Sequence, residues 1–232
     1  MKKGFLYASL AIVALVQSCS KSVYNNESYI RTSNLSGKKV AILPADVEFT
    51  GNLPKGYTPD KKKLTEEKES TEIQNMVYRE YLYRSKRGRK KQQPVEMINV
   101  DQVNSRLREN GISARESWTM NPDSLGKLVG ADMVLRVTVK KDRIMSDAAS
   151  LGIGVAATVL ENIFSNHGTT TVGGVAKTYN IFFDATLMDV AGGTVISKIS
   201  KNGDASWKES PESVIRNSSG KIVRRGAVYA WH

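Results

Sequence analysis

Two runs of strict alternation limit what this chain can fold into. Met133, Leu135, Val137 and Val139 alternate with Arg136, Thr138 and Lys140, and Tyr179, Ile181, Phe183, Ala185 and Leu187 repeat the pattern. Successive side chains of a strand point to opposite faces, so each run predicts a strand with one buried and one polar face, the first over 132–145. Asp189-Val-Ala-Gly-Gly193 then predicts a turn into a partner strand from Thr194 to about Ser200. The C-terminal half is therefore expected to be an antiparallel meander.

The N-terminal half carries helical spacing between shorter apolar runs. Lys39-Val-Ala-Ile-Leu-Pro44 reads as a buried central strand ended by proline. Ala45 to Lys63 is rich in Pro, Gly and Lys and is expected to be a long loop. Thr65 to about Ser85 predicts a helix with Ile73, Met76, Val77 and Tyr81 as its core stripe. Glu66 and Glu67 are expected in its first turn, as charges that complement the helix dipole. Pro94 to Val100 predicts a second strand, followed by a short helix capped by Asp101, with Val103 and Leu107 inward and Gly111 closing it. Asn121-Pro122-Asp123 supplies cap, N1 proline and first-turn acid for another helix through Leu125, Leu128 and Val129, stopped by Gly130. Ser210 and Pro211 open a last expected helix bearing Val214, Ile215, Ile222 and Val223. The fold class that follows is α/β (α+β): a single mixed sheet with helical crossovers in the N-terminal half, a meander in the C-terminal half, and helices covering the sheet.

The first residues set the compartment. Lys2 and Lys3 precede an apolar run from Gly4 to Val16, too short to span a ~30 Å hydrocarbon core comfortably and placed as a secretory signal is. The run ends in Val16-Gln17-Ser18-Cys19, and Cys19 is the single cysteine of 232 residues. This resembles the lipobox of bacterial lipoproteins, and the resemblance implies a diacylglycerol on Cys19 as first mature residue. Ser20 and Lys21 follow in place of the aspartate that retains such proteins in the inner membrane, which implies the periplasmic face of the outer membrane. The expected organisation is a signal peptide over 1–18, a lipid-anchored tether over 19–38, and one α/β domain over 39–232 with an insert at 146–177. Loss of Lys2 and Lys3 with the signal lowers the formal charge from +11 to +9. A basic envelope protein suits an anionic neighbour: lipid head groups, an anionic envelope polymer or an acidic protein.

Chemistry-bearing sets are sparse. His167 and His232 are the only histidines, and with Cys19 lipidated no His/Cys set is left for zinc. No G-x-S-x-G elbow accompanies His167, and no G-x-x-x-x-G-K-[ST] occurs. Gly152-Ile-Gly154-Val-Ala-Ala157 matches G-x-G-x-x-A but sits between two meander strands rather than at an early βαβ turn. The expectation is no catalytic residue, no metal and no cofactor. Arg84, Lys86, Arg87, Arg89, Lys90 and Lys91 form a basic cluster that is either a solvated helix end or a docking patch for an anionic partner. Export and the absence of interleaved aromatics argue against nucleic acid. In the insert, Ala148 to Leu160 is almost wholly small or apolar. It is read as core packing, as a self-association surface through Gly152, Gly154, Ala156 and Ala157, or as a membrane-inserting hairpin. Against the last, the run lacks the alternation of a barrel strand.

The opening Lys38-Lys-Val-Ala-Ile-Leu-Pro-Ala-Asp46, the phrase Leu128-Val-Gly-Ala-Asp132 running into the strand to Val139, and the hairpin Leu187 to Ile196 together are similar to the curli-secretion CsgG group and to LpoB-type lipoproteins, which activate peptidoglycan synthases. The likeness covers roughly residues 38 to 207. It implies a non-enzymatic periplasmic binding or assembly lipoprotein, an accessory factor in envelope assembly or secretion. The alternative it implies is a subunit of an oligomeric CsgG-like outer-membrane secretion channel.

Overall fold

The computed structural model describes residues 23–51, 53, 57–85, 95–143, 177–206 and 216. In chain order these form β1 (Val23–Asn25), α1 (Glu27–Thr32), β2 (Lys39–Ile42), β3 (Asp46–Gly51), α2 (Pro59–Ser85), β4 (Glu96–Met97), α3 (Val100–Glu109), α4 (Ala114–Thr119), α5 (Pro122–Leu128), β5 (Met133–Arg143), β6 (Lys177–Asp189) and β7 (Val195–Ser206). One mixed sheet runs β1-β7-β6-β5-β2-β4, with β3 also paired to β5. β5, β6, β7 and β1 pair antiparallel in sequence, whereas β2 and β3 both run parallel to β5, and β4 parallel to β2. The expected mixed sheet with a C-terminal meander is what forms.

The alternation of β5 and β6 builds the first face. Met133, Leu135, Val137 and Val139 of β5 are buried beside Ile181, Phe183, Ala185 and Leu187 of β6, and α2 lays Ile73, Val77 and Tyr81 over them. Each Val, Leu, Ile, Phe or Met among them removed from water stabilises the fold by about 1.5–3 kcal/mol. Among the described residues, the second face is covered only at one end. There α3 and α5 bury Val103, Leu107, Leu125 and Val129 against Ala41, Leu43, Val134 and Val190.

Several elements depart from the sequence expectation. The span 45–63, expected to be a loop, contains β3, whose Val47 and Phe49 alternate inward, and the first turn of α2. α2 starts at Pro59 rather than Thr65 because Thr58 accepts from Lys61 N (3.3 Å) and Lys62 N (2.9 Å), and proline at N1 needs no acceptor. Glu66 and Glu67 consequently lie beyond the first turn and are not helix-terminus charges. The second strand shrinks to Glu96–Met97, and Asn99, not Asp101, caps α3, accepting from Asp101 N at 2.8 Å. α4 was not expected; Ser113 and Glu116 form its capping box, accepting from Glu116 N and Ser113 N at 3.2 and 2.7 Å. Residues 23–38, read as tether, hold β1, α1 and the buried Leu35.

β2 and β3 are two pieces of one split strand along β5. β2 pairs with Met133–Leu135 and β3 with Thr138–Arg143, and Leu43-Pro44-Ala45 makes the offset, since Pro44 has no N–H for a ladder. Gln74 closes the gap above it. Its Nε2 donates to Ile42 O (2.8 Å) and Asn104 Oδ1 (3.1 Å), and Asn104 Nδ2 donates back to Gln74 Oε1 (2.9 Å), tying α2, β2 and α3 together.

Gly126 of α5 sits where the helix meets the sheet. A Cβ there would lie 2.2 Å from Val190 Cγ2 and 3.0 Å from Val134 Cγ1. Gly126→Ala is expected to lower stability by about 1–2 kcal/mol in urea unfolding, overpacking outweighing the helix-propensity gain of roughly 1 kcal/mol. Adding Val190→Ala should recover part of the loss; strict additivity of the two changes would refute the contact.

Candidate functional site

The motifs behind the family resemblance prove to be joints of the fold. Asp132 Oδ2 accepts from Lys39 N at 2.7 Å, while Asp132 N donates to Lys39 O and Asp132 O accepts from Val190 N, both at 2.9 Å. Asp189 closes the β6–β7 turn by accepting from Gly192 N (2.9 Å) and also accepts from the Tyr29 hydroxyl (2.7 Å), with Lys38 Nζ at 3.6 Å. Burial works against its charge, but Tyr29, Gly192 N–H and Lys38 outweigh it and hold the carboxyl below the usual aspartate range. The Tyr29 phenol, partly buried and facing that carboxylate, is pushed up to about 12. These residues fix the geometry of the strand ends and of the β6–β7 turn.

A second group of charges lies where α2, α4 and β3 meet. Glu66 is buried, and its Oε1 accepts from Phe49 N (3.0 Å), a main-chain donor on the edge of β3 away from β5. Its Oε2 accepts from Arg115 Nη2 (2.6 Å), and Arg115 Nε donates to Glu67 Oε1 (3.4 Å). The Arg115 guanidinium stacks over Trp118 at 4.7 Å, and despite partial desolvation these carboxylates raise its pKa further. Deeper in, Lys141 donates to Glu69 beneath the Phe49 ring, with Nζ 5.2 Å from its centroid. Burial pushes the Glu69 carboxyl up, and Lys141 opposes it. On the other face Arg136 Nη2 donates to Ser117 O (3.1 Å) and Met120 O (2.7 Å), seating the end of α4 in the β2–β3 offset. Continuing the β5 alternation past Val139 places Lys141 and Arg143 on the apolar face, a signal the sequence carried. Glu66 and Glu67 are met by Arg115, Glu69 by Lys141, and Arg136 by two main-chain carbonyls, so these contacts hold the α4 edge together.

What the described helices leave open is the rest of the second face. Register places Glu48 and Thr50 of β3, Thr138, Lys140 and Asp142 of β5, Phe182, Asp184 and Thr186 of β6, Lys198, Ser200 and Asn202 of β7, and Tyr24 of β1 on that one side. Phe182 is 37% exposed and Tyr24 53%. Glu48 and Lys140 pair at 3.7 Å, and Thr50 Oγ1 donates to Asp142 Oδ1 at 3.1 Å. The acids Glu48, Asp142 and Asp184 offset Lys140 and Lys198, so this face is mixed in charge with two aromatics raised on it. The sheet brings these residues together, and no sequence motif announces them.

Cys19, the basic positions 86, 87, 89, 90 and 91, the Gly152, Gly154, Ala156 and Ala157 stripe, both histidines and, Arg216 apart, the helix expected from Ser210 lie outside the described residues, and Arg84 marks the penultimate position of α2. Among the described residues no cluster of His, Cys, Asp and Glu could hold a metal ion, and no helix is long and apolar enough to cross a membrane.

Neither a family model nor a curated protein sequence matches the chain. Solved structures do. The C-terminal domain of LpoB from Salmonella enterica is 10% identical, with 77% of this chain and 91% of that one covered and a TM-score of 0.36. Lipoprotein GNA1162 from Neisseria meningitidis is 14% identical over 81% and 96%, with a TM-score of 0.40. PelC from Paraburkholderia phytofirmans, solved as a dodecamer, is 12% identical over 84% and 90%, with a TM-score of 0.36. LpoB, one half of the resemblance, is among these neighbours; nothing here supports the curli-secretion half. At such identities the function has to be argued from the chain's own residues.

Proposed function

We propose that this chain is a lipid-anchored, non-enzymatic accessory factor of the bacterial envelope, held at the periplasmic face of the outer membrane, that binds a protein partner through the open half of its sheet. The observation that carries the reading is the part of that face which no described element covers, where Phe182 projects from a polar surface of mixed charge. Aromatic side chains flanked by hydrogen-bonding groups dominate the energetics of protein interfaces. An anionic polymer would instead call for a surplus of positive charge, which this face lacks. The lipobox-like Val16 to Cys19 supplies the anchor.

The test is native protein extracted in mild detergent, with its mass and assembly state compared with those of Cys19→Ala. A lipid adduct on Cys19 and a complex with a second protein are expected, and the variant should leave the membrane fraction. Phe182→Ala should weaken the complex by about 2 kcal/mol, roughly thirtyfold in Kd, while changing stability far less. An unmodified Cys19, a closed ring made of this chain alone, or a complex indifferent to Phe182→Ala would each overturn the reading.

A further inference from the structure

The lipid-anchor reading has a geometric consequence once the pairing of β1 is known. From Val23 onward the chain is pinned to the domain. β1 is laddered to Ser197–Ile199 of β7, Asn26 N donates to Ile196 O (2.8 Å), and Ser197 Oγ donates to Asn25 Oδ1 (2.7 Å). Only residues 20, 21 and 22 separate Cys19 from this ladder. A fully extended chain spans at most about 3.6 Å per residue, so Val23 stays within about 14 Å of a lipidated Cys19. The opposite edge, β4, is five strand spacings away in the sheet order, about 24 Å at roughly 4.8 Å each. A lead that short cannot let the domain stand off the bilayer.

Resting on the lipoprotein reading, we infer that the β1–β7 edge of the sheet is a membrane-contacting edge whose occupant is the phospholipid surface that holds the Cys19 lipid. Tyr24 and Lys198 are direct cross-strand neighbours on that edge, and both are exposed. A ring with a polar tip beside a long cationic stem suits the head-group layer, where the stem and ring lie in apolar surroundings and the polar ends reach water and phosphate. With this edge down, the sheet stands on the membrane. Phe182, two strands in and level with Asn202 rather than Lys198, then remains available to a partner.

The single cysteine allows a test that does not need native lipidation. The full mature chain is coupled through the Cys19 thiol to maleimide-bearing phosphatidylethanolamine in nanodiscs of phosphatidylethanolamine and phosphatidylglycerol. A photoreactive benzoylphenylalanine is placed at position 24, 182 or 108, the last on the exposed Arg108 of α3 near the far edge. Mass spectrometry reads phospholipid adducts after illumination. Adducts several-fold more abundant at 24 than at 182 or 108, and reduced several-fold at 24 by Lys198→Glu, are expected. Equal labelling at all three positions, labelling led by 182 or 108, or none anywhere would overturn the inference. The lipoprotein reading fails separately, through an unmodified Cys19 in the native protein.

Discussion

Lys141→Ala is expected to destabilise the domain by about 3–5 kcal/mol, the range for removing one partner of a buried ion pair. Lys141 and Glu69 are 5% and 3% exposed, under the Phe49 ring and between α2 and β5. Glu69 Oε1 has no hydrogen-bond partner, so Lys141 is what compensates this carboxylate in the interior. Without the ammonium, a carboxyl already pushed up by burial would be pushed further and would take a proton, leaving a neutral but under-satisfied acid. The pair itself is a different matter. Two charges taken out of water recover little beyond what they lose, so Lys141→Met with Glu69→Leu should lie close to wild type or above it. Urea unfolding of both singles and the double separates the terms. A single substitution costing under about 1 kcal/mol would show that water reaches the pair and that its burial is not what constrains this part of β5.

Those two residues show where sequence reading succeeds and stops. Period-2 alternation made β5 and β6 legible because one face of each is apolar and a register slip would expose all of it. Asn121-Pro122-Asp123 was legible because cap, proline and acid act locally, and Asn121 does accept from Asp123 N at 2.9 Å. The same grammar in Thr58-Pro59-Asp60 is masked by surrounding lysines and glycines of loop-like composition, and so is β3. Its two inward residues, Val47 and Phe49, are too few to set a period. The open face was not legible at all. Phe182 is spaced like any outward strand residue, and Tyr24 lies in a stretch of polar composition; only the pairing of β1 to β7 and β7 to β6 puts them on one surface. Glu66 and Arg115 are 49 residues apart, and nothing local marks them as partners.

Asp189→Ala should cost about 3 kcal/mol, since one buried carboxylate accepts from Tyr29 and Gly192 and faces Lys38, and bonds to a charged group are worth about 1.5–3 kcal/mol each. The loss has a pH signature that a simple packing defect lacks. The folded-state carboxyl lies below its ordinary value, so its stabilisation is fully present above about pH 4 and disappears as pH falls through the lowered value. The Tyr29 phenol is raised to about 12, so its contribution is complete below about pH 10 and lost as pH rises from there toward 12. Wild type should therefore lose stability on both sides of a plateau. Asp189→Ala should flatten the acid limb and reduce the alkaline one, which burial of the phenol also supports, and Tyr29→Phe should remove the alkaline limb, in thermal melts taken across pH. The Tyr29 bond also joins α1 to the β6–β7 turn, so hydrogen exchange at Tyr29 to Ser33 should quicken in Asp189→Ala before the central strands respond. If those amides exchange only with global unfolding in the variant as in wild type, β1 alone holds the N-terminal segment and Asp189 serves the turn.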